Sequence, residues 1–499
     1  MKDYYGRAKI TIPVSKDKFD LDPLKYVKHY LSGCITKHEI NAKDCKELND
    51  IYLGKQEILQ KQRFNFDKKN NNILVANHHF RQVEFKKGFT VGNPISYSLR
   101  TANSDKVSNE LAQLKTYLTD ADKFEKDIDK YEDLYKYGIA YQFLIPRRSD
   151  FEYGVEAPFE LMNVEVETAF KVYSNDIASD ELFDVIISNE IDSEFKTQKL
   201  YYIYLLNKND DNYCYVYKFR NGNLYSPTAE MVNENYQQKQ PYKFLPLIEY
   251  SLNKNRVGVI ELVVSIGNAL NILQSNQIDD IIDFVNAYII FENVDPKYVL
   301  ENIEKFREKK TIAIKSNNPA TPAKVSTLKQ TLSHAEVNQL FDILKREMYD
   351  IVAVPQSSGE VSSGGDTGEA RILGNGWESA QNQAKVDTLY VSKFERKSLK
   401  CIISICKNDS KNKIRKLNAN DISIKYDINM SNNILTKTQA LSNLDAIDMP
   451  EEEALAMVGV TNDSNGVGNK WKLNREKKAR EALETEQAQN NNNVQNEEQ

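Results

Sequence analysis

Apolar residues keep helical spacing in some blocks of this chain and alternate strictly in others, so most elements can be read from the period alone. From Asp22 to Gly54, Leu24, Val27 and Leu31 fall at i, i+3 and i+7, and a second run passes through Cys45, Leu48 and Tyr52; both predict peripheral helices. A helical stretch from roughly Leu74 to Phe89 stops at Val91-Gly92-Asn93-Pro94, and Ile95-Ser96-Tyr97-Ser98 resumes as an extended segment. Leu111, Leu114, Leu118, Phe124, Ile128, Tyr131 and Leu134 predict one long amphipathic helix, closed by Tyr137-Gly138.

Between Ile139 and Tyr250 the period becomes two. Ile139, Tyr141, Phe143 and Ile145 alternate with smaller or polar neighbours, as do tyrosine-rich segments at 199–206 and 213–219, so short strands separated by Asn/Asp/Gly turns follow the helices. The first half therefore reads as an α+β domain whose helices precede its sheet. Helical spacing then returns in Leu262, Ile266, Leu270 and Leu273 and again in Ile278, Ile281, Ile282, Val285 and Ile289. A helix from Gly258 to Phe291 would be roughly 50 Å long. Its apolar residues cover more than one stripe in the second half, which calls for more than one neighbouring helix.

A strand at Thr311–Lys315 and a Pro-containing loop lead to Ser333-His334-Ala335-Glu336, a capping box that opens a helix bearing Val337, Leu340, Phe341, Leu344, Met348 and Ile351 on one face. Pro355 ends it, and Gln356 to Gly365 form a Gly/Ser-rich loop with almost no apolar anchor. A further long helix, weakened by Gly374 and Gly376, runs through Trp377, Leu389, Phe394, Leu399 and Ile402. Ile422, Ile424, Tyr426 and Ile428 give a late strand, two short helical pieces lie near Ala440 and Ala454, and Asn462 to Gln499 is polar enough to read as disordered.

These blocks make up 499 residues, 28% of them charged, with a mean hydropathy of −0.59. That is enough chain for roughly two to four domains under a heavily wetted surface. The apolar run Ile278–Phe291 is interrupted by Asp279, Asp280 and Asp283 and is too short to span a bilayer, so no membrane partner is expected. The N-terminus lacks a secretory signal, which predicts that the chain stays in the cytosol where it is made. Five scattered cysteines fit reduced thiols. His29, Cys34, His38 and Cys45 match no zinc-module spacing, and no metal or other cofactor is expected. A formal net charge of −6 excludes nucleic-acid binding through a generally basic surface.

Five local patterns, Tyr52–Lys55, Gly88–Tyr97, Tyr137–Tyr141, Leu245–Tyr250 and Gly365–Ala370, follow one another in an order that resembles the portal (head-to-tail connector) proteins of long-tailed bacteriophages. Tyr52-Leu53-Gly54-Lys55 resembles that family's early helix end, and Gly88-Phe89-Thr90-Val91-Gly92-Asn93-Pro94-Ile95-Ser96-Tyr97 its helix-to-strand corner. Tyr137-Gly138-Ile139-Ala140-Tyr141 resembles its strand entry. Leu245-Pro246-Leu247-Ile248-Glu249-Tyr250, with Asn253 and Gly258, resembles the run before the first stem helix, and Gly365-Asp366-Thr367-Gly368-Glu369-Ala370 the segment after the channel loop. The resemblance runs from about Tyr52 to Asp463. The chain departs from the family at Gly374-Asn375-Gly376 and in a short region after Leu435.

The fold so implied is α+β: an α/β wing (residues 1–257), two antiparallel stem helices (258–291 and 333–352) and a small α/β clip between them (292–332). A flexible tunnel loop (353–368), a long kinked helix and strand returning to the wing (369–435), a short helical C-terminal crown (436–462) and a disordered tail (463–499) complete it. The resemblance further implies a ring of twelve copies at one capsid vertex, through which double-stranded DNA passes non-specifically during packaging and ejection. It implies docking to the terminase large subunit, to major capsid and scaffolding proteins and to a head-completion adaptor, in the virion after assembly in the host cytoplasm. A non-portal head component or adaptor shares the helix content and remains the alternative.

Three groups of residues suit such a role. Gln356, Ser357, Ser358, Gly359, Ser362, Ser363, Gly364 and Gly365 offer backbone N–H and hydroxyl groups to phosphates without fixed charge, although the composition equally describes a linker. Asp279, Asp280 and Asp283 cluster on a helix and are candidates to face the channel or, equally, a solvated face. Lys305, Arg307, Lys309 and Lys310 give the clip a basic cluster for an acidic partner, or simply a solvated surface. Catalysis is not expected: no G-x-x-x-x-G-K-[ST] phosphate cradle is present, and the aspartates lack the second acidic cluster that a two-metal nuclease needs.

Overall fold

The computed structural model describes residues 6–61, 71–100, 105–147, 151–152, 154–191, 197–221, 231–285, 289–297, 299–301, 316, 322–327, 334–356, 376–408, 412–428, 434–447, 449–458, 467–468, 471–477 and 480–481. The chain divides into two compact units: Met1–Leu53, His79–Leu262 and Val352–Gln499 form the first, and Gly54–His78 with Val263–Ile351 form the second.

In the first unit the core lies on one face of a six-stranded sheet of order β1-β5-β6-β7-β8-β9. Its strands are β1 (Ile10–Ile12), β5 (Ala169–Ser174), β6 (Glu181–Ile191), β7 (Thr197–Asn207), β8 (Tyr213–Asn221) and β9 (Met231–Lys239). β1 joins β5 in parallel, and the remaining ladders are antiparallel. The short helix α1 (Lys16–Phe19) and the 30-residue α2 (Pro23–Tyr52) precede most of it. Asp22 caps α2 by accepting from the Lys25 amide, with Pro23 in the first turn. Val27, Leu31, Cys34, His38, Asn41, Cys45, Leu48 and Tyr52 recur at three- and four-residue steps along α2, and all are buried. Phe19, Val27, Leu31 and Ile35 pack with Phe170, Val172, Phe183, Val185 and Ile203 of the sheet.

Helices α3 (His78–Val91), α4 (Asp105–Asp120) and α5 (Lys123–Tyr137) follow. The single helix expected across 111–134 is thus two, broken where Asp122 adopts φ 51°, a left-handed conformation that Asp tolerates better than most side chains. A three-stranded sheet of order β10-β3-β4 is built from β3 (Ile139–Pro146), β4 (Phe159–Val164) and β10 (Leu247–Ser251). β2 (Ser96–Leu99) pairs with β13 (Ile422–Lys425), which joins two distant stretches of sequence. The long helix α8 (Trp377–Asn408) buries Val391, Leu399, Ile402 and Cys406 and packs on β10. It begins directly after Gly376 at φ 81°. At that end Ala380 and Ala384 leave room for Phe85 and Phe89, whose rings lie 5.7 and 6.0 Å from Trp377.

Helices α9 (Ile434–Asp445) and α10 (Glu451–Val458) pack together. Residues 471–477, which composition places in a disordered tail, are helical: Trp471 and Arg475 line a small cavity with Leu441, Met449 and Ala454, and Arg475 pairs with Asp445 at 2.8 Å.

The second unit contains most of α6 (Val259–Val285), the antiparallel pair β11 (Ile289–Glu292) and β12 (Lys324–Thr327), and α7 (His334–Ile351). The helix expected to reach Phe291 ends earlier, because Ile289 to Phe291 pair with strand residues; a short apolar run does not by itself distinguish a helix from a buried strand. Residues 54–78, within the first domain on sequence grounds, belong to this unit. The expected strand at Thr311–Lys315 and the capping Ser333 lie outside the described residues.

Candidate channel-lining and docking surfaces

Along α6 the polar residues Asn271, Ser275 and Asp279 recur every four positions, which places them on one stripe of an otherwise apolar helix. All three are fully buried. Each accepts a backbone N–H from the extended segment that ends at Ala76: Asn271 Oδ1 from Ala76 at 2.9 Å, Ser275 Oγ from Leu74 at 3.0 Å and Asp279 Oδ1 from Asn72 at 2.8 Å. Asp279 also accepts from the Asn72 side chain at 2.8 Å and pairs with Lys61 at 3.4 Å, and Asn271 donates to Gln56. The stripe pairs a strand-like segment whose amides have no sheet of their own.

Of the three candidate channel aspartates, Asp279 is thereby committed to inward hydrogen bonds within its own chain, Asp280 is half-buried, and the Asp283 side chain lies outside the described residues. In the candidate tunnel loop only Gln356 is described, and it is half-buried; Ser357, Ser358, Gly359, Ser362, Ser363, Gly364 and Gly365 lie outside the described residues, as do Lys305, Arg307, Lys309 and Lys310. The functional pattern missed in the sequence is the Asn271/Ser275/Asp279 stripe. Its signal was present as polar residues at four-residue spacing inside an apolar helix.

The first turn of α6 is fixed within the first unit. Glu261 accepts from the amides of Gly258 (2.8 Å) and Gly6 (3.3 Å) and pairs with the buried Arg7 guanidinium, while the Arg7 amide donates to the Arg256 carbonyl. Backbones pass so closely here that a Cβ on Gly258 would lie 2.3 Å from the Lys136 carbonyl oxygen, and one on Gly138 2.4 Å from that of Arg256. Arg256 also pairs with Glu249, which accepts from the hydroxyls of Tyr141 and Tyr173.

Helix α8 enters the core with a charge. Glu395 is 0% exposed and meets Lys123 at 2.9 Å and Lys130 at 3.1 Å, while the Tyr97 hydroxyl donates to it at 2.8 Å and that of Tyr250 at 3.3 Å. Asp127 binds the same two lysines, so two cations face two anions. Burial alone would raise the Glu395 carboxyl, but the two ammonium groups outweigh it and hold Glu395 well below the usual carboxylate range. A second buried set joins Lys171 to Asp184 at 2.6 Å and to Glu181 at 3.2 Å, with Lys397 of α8 also on Glu181.

Other polar residues take core roles. His38 stacks on Phe170 and bonds the Glu167 carbonyl at 2.8 Å, and all five cysteines are buried and none is in a disulfide. Among the described residues no group of three or more His, Cys, Asp or Glu could hold a metal ion, and no helix is long and apolar enough to cross a membrane.

The long helices also carry apolar side chains at the surface: Ile272 and Ile281 on α6, Leu340, Ile343 and Ile351 on α7, and Val386, Leu389 and Tyr390 on α8. Ile272 and Ile281 lie on opposite sides of α6, whereas Leu340, Ile343 and Ile351 share one side of α7. The side shared by the three α7 residues is a candidate contact surface.

A search of curated proteins returns no significant match. The model of the family described as "Phage portal protein, SPP1 Gp6-like" matches residues 31–492, nearly the whole chain and every element that carries these surfaces, and the chain belongs to that family.

Proposed function

We propose that this chain is one subunit of a ring that surrounds a channel for double-stranded DNA at a capsid vertex, and that α6 and α7 are its stem. The observation that carries the reading is the set of apolar residues left at the surface of both helices: Ile272, Ile281, Leu340, Ile343 and Ile351. A closing ring needs two different complementary surfaces per subunit, and helices apolar on several sides supply them. Gln277 Nε2 donates to Asn338 Oδ1 at 2.9 Å, while near the other end of the pair Ala76 meets Asn271 and His78 meets Tyr349 at 3.1 Å. These contacts run in opposite order along the two helices, which supports an antiparallel stem.

Residues 292–332 between the helices are then the clip, where Lys305, Arg307, Lys309 and Lys310 meet the packaging motor and later the head-completion adaptor. Residues 353–368 are the tunnel loop, with DNA contacts through Ser357, Ser358 and the neighbouring glycines. Asp280 and Asp283 remain channel candidates, and Asp279 serves the fold. The role is structural: an acidic subunit contains DNA without gripping it, since every phosphate neutralised by Lys or Arg adds affinity that resists sliding. Twelve subunits and a location in the virion complete the proposal.

Electron microscopy of the purified protein tests it. Closed rings with a central hole wide enough for B-DNA are expected; persistent monomers or rods at high concentration would remove it.

A further inference from the structure

A groove of about 630 Å³ opens in the first unit between β2 and the corner that joins α4 to α5. Its walls are Pro94, Ile95, Leu118 and Phe124, and its floor is the Tyr97–Lys123–Asp127 part of the buried ion set. Phe124 is 41% exposed, and the left-handed turn at Asp122 sets it on the rim. Because the floor is charge-balanced, the sign of the groove comes from its rim, where Asp122 and Glu125 outnumber Lys115.

Helix α8 presents a ridge of complementary character. Val386, Leu389 and Tyr390 are 46%, 72% and 42% exposed. Lys385 and Lys393 stand four residues either side of Leu389, both exposed and in no ion pair among the described residues. At roughly 100° per residue, these five side chains project about 80–180° away around α8 from Glu395, the residue that bonds the groove floor through Tyr97 and Lys123. Ridge and groove therefore lie on different sides of one chain, and no chain can fill its own groove with its own ridge.

We infer that the Val386–Leu389–Tyr390 ridge of one copy docks in the Phe124 groove of the next. An apolar ridge flanked by lysines fits an apolar groove rimmed by carboxylates, and two unlike surfaces on one chain make the head-to-tail contact that a closed ring repeats. This contact adds the wing to the stem as an assembly surface, and it rests on the ring proposed above.

The test uses the full chain carrying both Phe124→Cys and Leu389→Cys, treated with a short bis-maleimide linker and run on a denaturing gel; the native cysteines are buried. A ladder of multiples ending at the full ring is expected, with neither single variant exceeding a dimer. Rings in the microscope with only monomer-sized bands on the gel would overturn the docking and leave the ring standing; absence of rings from the wild-type protein would remove both. A charge swap gives a second readout that needs no cysteine. Glu125→Lys should weaken assembly at low salt by roughly tenfold, and adding Lys393→Glu should restore it; failure of the rescue, with both variants folded, would also overturn the contact.

Discussion

Glu395 is a charge placed where burial opposes it, on a helix whose other buried residues are mostly apolar. Lys123 and Lys130 compensate the carboxylate, and Tyr97 and Tyr250 occupy the rest of its hydrogen-bonding capacity. Removing one member of such a set leaves the others buried and unbalanced. Glu395→Ala should therefore cost about 3–5 kcal/mol, read as a lowered urea midpoint, whereas Asp445→Ala, which breaks an exposed pair, should leave the midpoint unchanged. Glu181 adds a pH dependence. Burial opposes its ionisation, yet Lys171 and Lys397 bring its carboxyl down from 4.5 to about 2. A group depressed on folding stabilises the native state above its unfolded value and loses that contribution as pH falls through its folded value. Thermal midpoints should hold down to about pH 4.5 and then fall steadily toward pH 2; in Glu181→Gln that part of the decline should be absent.

At the scale of elements, α6 does two jobs with different residues. Its first turn is locked where Gly258 passes the Lys136 carbonyl, so Gly258→Ala should destabilise the protein by at least about 2 kcal/mol, seen in the urea midpoint, although the change is a single methyl group. Farther along, Asp279 holds the segment at Asn72, and Asp279→Ala should raise amide exchange in residues 71–76 well above the effect of Asp280→Ala. Equal exchange in the two variants would return Asp279 to the list of channel candidates. These elements differ in how far the sequence revealed them. Helix α2 was legible as helical, though as two apolar runs where the structure has one continuous helix, and β3 because Ile139, Tyr141, Phe143 and Ile145 recur at period two. The break at Asp122 was not, since apolar spacing continues across it. Neither was β1, three residues long and paired with a strand some 160 positions later, nor the inward role of Asp279, whose partners lie about 200 residues earlier; local pattern carries no information on such distant partners.

The whole molecule is the scale at which the exposed apolar sides of α6 and α7 make sense. Within one chain, the face of α7 that the sequence marks as core is only partly covered: Met348 is buried, while Leu340 and Ile351 stay in solvent. The pattern was legible, and in the ring proposed above the partner that completes it is another copy. A ring repeats one interface at every step, and closure multiplies the effect of any change in it. Leu340→Asp places a charge in the centre of that apolar side and should raise the protein concentration needed for rings by at least roughly tenfold, with a steeper loss in the Leu340→Asp/Ile343→Asp pair. Because both positions are exposed in the isolated chain, the urea midpoint of the unassembled protein should be unchanged. Sizing chromatography with light scattering across a dilution series separates these quantities. Assembly that persists in the double variant would move the subunit contact away from α7 and leave the wing groove as the surface to examine.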